Sequence, residues 1–583
     1  MDENKGQKSN RRQAPVSGVE GEKRHAQASQ GRAPRTASAN RGENDIDRGM
    51  APPKARGHQN RASRSDSARR SETVEKPRRA RRSPNNAIAQ APQTAEKQHR
   101  SPHRHDERPC TEKSAHGHRE HQDAEQKRSR ATRNPRELVV ETLMRIEDGG
   151  YSNIVWDLAI RHADLSNLDK MLATRIFYGT LSNMRLIDAL WNDIEPEMLR
   201  RADPVVKMTL RSAMYQLVFL DRVPAYSIVS TSVEVVKRLR NRAACGYCNA
   251  LLRKAVARKD AGNLVYTPTG DALTDFAVKY SVNDELASLL IEEFGDDASN
   301  IAESMLAVPK MVLRINRSRT SIDDFLAKVG VSVERSSRLP NRACSVMSRH
   351  SAIDAAIEAG DVCVQDEAAQ IAVQALGAPE QWGGAAQEVH IWDACAGLGG
   401  KTLHILDEVA CDTSGRRYSM LSTDLYANKL ERLREAHQKF FKSEHLITKA
   451  RDLTLGGSVP LAPFDVILVD APCSGLGVLR RHPEVKLYRT REAIESLVEL
   501  QKTILDNVCR HLRIGGILVY AVCTITAEEC ERQAQAFLER HPNYSFDALP
   551  AECAPTPDAH DIKLLPHADG CDGFYVARFR RNA

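Results

Sequence analysis

Two cysteines and an aspartate stand where strand-like runs give way to loops. Asp470 and Cys473 close the run Val466-Ile-Leu-Val-Asp470-Ala-Pro-Cys473-Ser-Gly475-Leu-Gly477. Cys523 closes a second, Gly515-Gly-Ile-Leu-Val-Tyr520-Ala-Val-Cys523. A thiolate is a strong nucleophile, a carboxylate can hold or move a proton, and a second thiol can act where the first has bonded. Four apolar, mostly β-branched residues before Asp470 read as a strand buried on both faces. In open α/β sheets ligands sit just beyond the carboxyl ends of such strands, so the three groups lie where chemistry is done.

A second set of residues points to a nucleoside. Val389-His-Ile-Trp-Asp393-Ala-Cys-Ala-Gly397-Leu-Gly399-Gly400-Lys401-Thr reads as a strand, a glycine-rich turn and a helix start. It is not a phosphate-binding P-loop, because the four-residue gap before Gly-Lys-Thr is missing. The next strand-like run, Tyr418 to Thr423, is followed by Asp424, suited to ribose hydroxyls. A third, Leu446 to Arg451, is followed by Asp452, suited to an adenine amino group. An acid after a strand is often only a helix cap. Acids at three strand ends in step with a glycine-rich loop read as a site for an adenosyl cofactor.

The thiols decide which chemistry that cofactor would serve. The C5 of cytosine is a poor nucleophile until a thiolate adds at C6, after which C5 can take a methyl group from a sulfonium and elimination frees the enzyme. This route needs a nucleophilic Cys, an acidic partner near the base N3 and a group that assists release. Cys523, Asp470 and Cys473 supply one candidate for each.

The elements that must position these groups begin well upstream. Residues 1–133 carry 31 Lys and Arg against 17 Asp and Glu, and no Phe, Tyr or Trp. So polar a segment cannot offset its ordering entropy and is expected to be a disordered basic tail, able to add salt-dependent contacts to phosphates. Residues 134–260 show helical periodicity, as in Val139, Leu143 and Ile146, and predict an all-α bundle of five or six helices. Within it Cys245-Gly-Tyr-Cys248 has neither a second ligand pair for zinc nor a βαβ context for redox work, and reads as packing. Residues 261–350 predict a small α+β linker unit, with Ser321 capping a helix over 322–329 and Arg314, Arg317 and Arg319 as candidate phosphate contacts. Residues 351–583 alternate strands and helices, the pattern of a parallel sheet covered on both faces. Thirteen cysteines without an export signal or a membrane-length apolar run predict a soluble cytoplasmic chain with reduced thiols, no metal and no membrane partner.

These runs together resemble a known family. Asp393 to Thr402, Asp470-Ala-Pro-Cys-Ser-Gly475, Arg480-Arg-His-Pro-Glu-Val-Lys486, Val522-Cys-Thr524 and Leu564 to Phe574 look like the Sun/Fmu (RsmB-type) RNA cytosine-C5 methyltransferases. Tyr178-Gly179, Tyr215-Gln216-Leu217 and Asn249 to Arg253 resemble the NusB-like RNA-binding domain placed ahead of them. The resemblance implies a Rossmann-like class I methyltransferase domain that uses S-adenosyl-L-methionine and acts on RNA, most readily small-subunit rRNA, as a monomer. Cys395, Ala396, Gly397, Leu398, Gly399, Gly400 and Lys401, with Asp424, Asp452 and Asp470, would line the cofactor site. Cys523 would be the nucleophile and Cys473 would help break the adduct, while Arg480, Arg481 and Lys486 would contribute RNA contacts. Gly397-Leu398 stands where the family has Ala-Pro, and Val522 where it has Thr; neither change removes a reacting group. The competing readings are an RNA-docking ribosome-assembly factor with a decayed methyltransferase fold and a small-molecule methyltransferase. The second leaves the helical domain and the second thiol without a role.

Overall fold

The computed structural model describes residues 134–239, 242–441, 445–456 and 463–583. The expected disordered tail, residues 1–133, lies outside them. The described residues between 134 and 260 form a helical bundle with eight α-helices rather than five or six. Residues 167–194 form two helices, Asn167–Ser182 and Met184–Ile194, broken at Asn183. Helix Ser152–Arg161 buries only Ser152 and Trp156, too few to make an apolar stripe in the sequence. Helix Pro135–Glu147 starts with proline in its first turn and Asn134 accepting the Arg136 N–H. Val139, Leu143, Phe177, Leu210, Leu217 and Leu252 fill the centre.

Family-like residues of the bundle are packing devices. A Cβ on Gly179 would fall 1.9 Å from the Tyr215 ring, so glycine is what lets that ring lie against the helix. Gln216 is fully buried; it accepts from Arg136 Nε (2.7 Å) and donates to Ser212 O (3.0 Å). Cys245 opens helix Cys245–Asp260 and Cys248 is buried in the core, its thiol pushed up to about 12 by burial.

The stretch expected as one linker unit divides in two. Helices Ala272–Lys279, Asp284–Phe294 and Ala298–Ser304 pack with Leu476, Leu479, Val485, Ile494 and Ile525 of the later sequence. The four strands β1 (Val312–Ile315), β2 (Val333–Arg335), β3 (Ala343–Val346) and β4 (Val362–Val364) form an antiparallel sheet in the order β2-β3-β1-β4. The sheet therefore runs past residue 350. Helices Ile322–Val329 and Ser351–Ala359 cover it through Ile322, Phe325, Val329 and Ile353, and Ser321 Oγ caps the first by accepting from the Asp324 N–H (3.1 Å).

The remaining strands build the large sheet. They are β5 (Glu388–Asp393), β6 (Arg417–Asp424), β7 (Leu446–Ala450), β8 (Phe464–Asp470), β9 (Leu512–Val522), β10 (Tyr544–Phe546), β11 (Asp561–Leu564) and β12 (Phe574–Arg581). The order is β10-β12-β9-β8-β5-β6-β7, with β11 beside β12. Strands β5 to β9 are parallel, and β12 returns antiparallel to β9. This is the Rossmann-like α/β arrangement of the methyltransferase fold. The chain goes outward from β5 to β7, then restarts at β8 on the other side, so the switch point lies between β5 and β8, where such folds bind ligands. No helix among the described residues is long and apolar enough to cross a membrane, and none of their His, Cys, Asp and Glu groupings could hold a metal ion.

Candidate active site

At the switch point the chain leaves β5 through the glycine-rich turn. The turn is clipped on both sides: Ala394 N–H donates to Leu468 O (2.9 Å) and Ala396 N–H to Thr423 O (2.8 Å). Gly397 and Gly399 have φ of +56° and +88°. A Cβ at Gly399 would lie 2.2 Å from Leu433 Cδ1, so that position is closed to a side chain on both counts. Helix Gly400–Ala410 starts here, with no side chain capping its N-terminus. Leu398 is exposed at the crest of the turn.

Carboxylates surround the turn. Asp424 ends β6; its Oδ2 accepts the Gly397 N–H (3.0 Å), and its Oδ1 accepts the Tyr426 N–H (2.9 Å). Asp393 is fully buried; its Oδ2 accepts the Thr402 hydroxyl (2.7 Å), while its Oδ1 has no hydrogen-bond partner among the described residues. Burial pushes the Asp393 carboxyl up to about 7. Asp470 ends β8 and accepts from Lys401 Nζ (2.6 Å), which also lies 5.1 Å from the centre of the Phe574 ring. Burial works against the Lys401 charge, but the Asp470 carboxylate outweighs it and raises the lysine above its ordinary value. Asp452 lies two residues beyond β7 and accepts both the N–H (2.9 Å) and the hydroxyl (2.6 Å) of Thr454, as a turn-forming aspartate does.

The two thiols meet. Cys473 Sγ and Cys523 Sγ are 3.1 Å apart, both half-buried. Their approach follows from topology: β8 and β9 are adjacent and parallel, with Asp470 opposite Ala521, so the loops after them leave the sheet side by side. Gly477 N–H donates to Cys523 O (3.1 Å) and Gly573 N–H to Gly477 O (2.8 Å), which ties three loops together. A Cβ at Gly477 would sit 1.9 Å from Gly573 O. The hydrogen bond to Cys523 and then burial hold the Cys473 thiol well above its ordinary range. Cys395 packs against the same core as Cys473, and burial, followed by the charge of Asp393, raises its thiol too.

The basic residues expected to meet RNA are mostly spent inside the fold. Arg480 and Lys486 are buried. Arg480 and Arg481 both pair with Asp572 (2.8 and 2.6 Å), and Arg481 also with Asp366 (2.8 Å). Lys486 donates to Ser182 O of the helical bundle (2.5 Å) and to Tyr280 O (3.4 Å). Its neighbour Glu484 accepts the Ser152 N–H (3.0 Å). The Arg480–Lys486 segment is thus a latch between the bundle and the large sheet. Arg314 is buried against Asp407 (3.5 Å), Arg317 pairs with Glu408 (3.2 Å), and Arg319 pairs with Asp361 (3.4 Å). Basic charge had suggested phosphate contacts for Arg314, Arg317 and Arg319, and the family resemblance RNA contacts for Arg480, Arg481 and Lys486; the acidic partners of the five arginines, 42 to 115 residues away, could not be read from either.

Several groups at the site were not singled out from sequence. Leu425 and Tyr426 follow Asp424 and are exposed at the sheet edge. Ser474, Thr524 and Glu529 form a buried polar knot behind the thiols. The only local sign of that knot was an acid six residues after Cys523.

Comparison with known proteins gives the same architecture a family. Residues 384–580 match the model of the 16S rRNA methyltransferase RsmB/F family, and residues 133–257 that of the NusB family. Ribosomal RNA small subunit methyltransferase B of Pseudomonas putida is 32% identical over 420 residues, covering 70% of this chain and 90% of that protein. The chain belongs to the RsmB/F family of 16S rRNA methyltransferases. The RsmB protein of Escherichia coli O6:K15:H31 is 30% identical over 459 residues, 76% of this chain and 98% of its own length. The probable RsmB of Bacillus subtilis is 28% identical over 462 residues, with the same shares. Among solved structures, that of PH0851 has a TM-score of 0.63 at 22% identity and covers 77% of this chain and 100% of its own, a likeness of fold.

Proposed function

We propose that this chain methylates C5 of a cytidine in small-subunit rRNA, with S-adenosyl-L-methionine as cofactor, through a transient bond between Cys523 and C6 of the base. The observation that carries the reading is the 3.1 Å contact of two thiols beside the Asp470–Lys401 pair, at the carboxyl ends of β8 and β9. A methyltransferase acting on an already nucleophilic atom needs neither sulfur.

The donor set suits the cofactor. The carboxyl groups of Asp393, Asp424 and Asp470 stand around a turn rich in backbone N–H groups, which matches a cationic sulfonium with an amine, a carboxylate and a ribose. Cys395 to Lys401 would form its bed, Asp424 would take ribose hydroxyls on its remaining lone pairs, and Asp452 would face the adenine edge. When bound, the cofactor supplies an activated methyl group. The exposed Leu398 and Leu425 offer apolar surface for a base at that rim.

The protein's own groups do the rest. Cys473 is held neutral and lies 3.1 Å from Cys523, the sulfur that would give up its proton to solvent and bond C6. As the S–C6 bond forms, electron density moves toward N3, where the Asp470–Lys401 pair can supply a proton and a positive charge. Once C5 carries the methyl group its proton passes to solvent, the C5–H electron pair re-forms the C5–C6 double bond, and the C6–S pair returns to the Cys523 sulfur, a release that Cys473 would assist. A base within folded RNA must leave its stack to enter such a pocket. The NusB-like bundle, latched to the sheet through Glu484 and Lys486, would present further RNA contacts at a set angle.

The test is a pair of variants assayed on rRNA. Cys523→Ala should abolish methyl transfer and form no adduct, whereas Cys473→Ala should accumulate protein joined to RNA that survives denaturing electrophoresis. The reverse pattern would exchange the two roles; neither variant affecting methylation would end the covalent reading.

A further inference from the structure

Glu529 is a fully buried acid with no basic side chain among its hydrogen-bond partners in the described residues. Its Oε1 accepts the Ser474 N–H (2.8 Å) and Gln501 Nε2 (2.9 Å). Its Oε2 accepts the Thr524 hydroxyl (3.2 Å), the Thr526 hydroxyl (3.1 Å) and the hydroxyl of Ser474. Ser474 Oγ and Thr524 Oγ1 are themselves 2.6 Å apart. Gln501 Nε2 also reaches Pro472 O (3.0 Å), and Tyr520 OH holds the Glu529 carbonyl (2.7 Å).

The identity of these partners is what matters. Ser474 directly follows Cys473 and Thr524 directly follows Cys523, so one carboxylate grips the residue after each thiol. Glu529 sits just ahead of helix Glu531–Arg540, yet none of its donors comes from that helix, so it is not serving as a cap. Burying a carboxylate is costly unless its lone pairs are filled, and an apolar residue could fill the same space without that cost. The acid's position is explained by what it spans.

We infer that Glu529 is a positioning residue that sets the separation of the Cys473 and Cys523 sulfurs. The inference rests on the proposed division of labour between those thiols, for which their spacing governs the passage from attack to release. The chemistry at its two oxygens makes a specific forecast for the amide. Oε1 faces the Ser474 N–H and the Gln501 NH2 group, neither of which can accept; Oε2 faces only hydroxyls, which can turn and accept. A glutamine can therefore keep its oxygen on the Oε1 side and its NH2 on the other. Alanine can do neither.

The readout is the spacing itself, taken without RNA. Full-length protein is treated with oxidised glutathione: one thiolate of the pair displaces a glutathione thiolate to form a mixed disulfide, and the other then displaces the second glutathione, closing Cys473–Cys523. Two glutathione thiols form, and the protein thiols' protons pass to them or to solvent. The joined peptide is quantified by mass spectrometry. Glu529→Ala should slow this closure about tenfold or more, since misplacement on the scale of 1 Å can cost two orders of magnitude. Glu529→Gln should restore most of the rate. If Glu529→Ala does not fold, Ser474→Ala carries the same test, because it deletes the hydroxyl shared by Glu529 and Thr524; closure must slow at an unchanged melting temperature. A wild-type rate in Glu529→Ala, or in a folded Ser474→Ala, overturns the proposal, as does a Gln variant no faster than Ala. On rRNA, Glu529→Ala should accumulate adduct as Cys473→Ala does. If closure slows as forecast while Cys473→Ala itself traps nothing, the assignment of thiol roles has failed and the positioning role stands.

Discussion

Lys486 offers a test of the latch that joins the helical bundle to the sheet. It is completely buried, its Nζ hydrogen-bonded to Ser182 O and Tyr280 O, and burial pushes its pKa down to about 7. In an unfolded chain lysine titrates at about 10.4. The difference of about 3.4 units corresponds to about 4–5 kcal/mol at 1.36 kcal/mol per unit. The sign follows from proton counting. Between about pH 7 and pH 10 the unfolded state binds more protons than the folded one, so through this group stability rises with pH across that window. The cost is present in full below it. Replacing Lys486 with Met keeps the length of the side chain and removes the titration. The two carbonyls lose their donor, at about 1–3 kcal/mol each, but that cost does not change with pH. Wild type should therefore gain about 2–3 kcal/mol on the Met variant between pH 6.5 and pH 9. Denaturant unfolding followed by tryptophan fluorescence reads both sides of the latch, because Trp156 and Trp191 lie in the bundle and Trp382 and Trp392 in the sheet domain. Parallel stability curves for the two proteins across this range would refute the reasoning.

Other substitutions probe the site and its supports. Gly399→Ala places a methyl on Leu433 at a positive φ and should weaken S-adenosylmethionine binding in calorimetry by tenfold or more, about 1.4 kcal/mol, with the helical bundle unaffected. Gly477→Ala must push the Gly573 backbone away from the loop that carries Cys473; a loss of about 2–3 kcal/mol in thermal unfolding and a matching fall in turnover are expected. Asp407→Leu leaves Arg314 buried without its carboxylate and removes the acceptor of the Arg317 and Ser318 N–H groups. It should cost about 3–5 kcal/mol, seen as a lower unfolding midpoint, while Arg317→Ala, at a partly exposed pair, should cost under about 1 kcal/mol.

What the chain settles locally could be read from it directly. Apolar runs closed by Asp424, Asp470 and Cys523 did become parallel strands ending at or beside those residues, because buried strands need continuous apolar runs and the residues that end them are polar or glycine. Ser321 capped the helix assigned to it, since a cap needs only its own next three residues. The positive-φ glycines of the turn after β5 belong to the same class. Tertiary structure decided everything that depends on which strands are neighbours. Cys473 and Cys523 touch because β8 and β9 lie side by side in register, and nothing in either segment states that pairing. The same holds for charge. Arg480, Arg481 and Lys486 look from their composition like a basic surface, yet Asp366, Asp572 and the carbonyls of Ser182 and Tyr280, up to 304 residues away, draw them inside. Whether a cation meets solvent or a buried partner depends on the folded path of distant segments, because Coulomb and hydrogen-bond energies depend on distance in space and not along the chain.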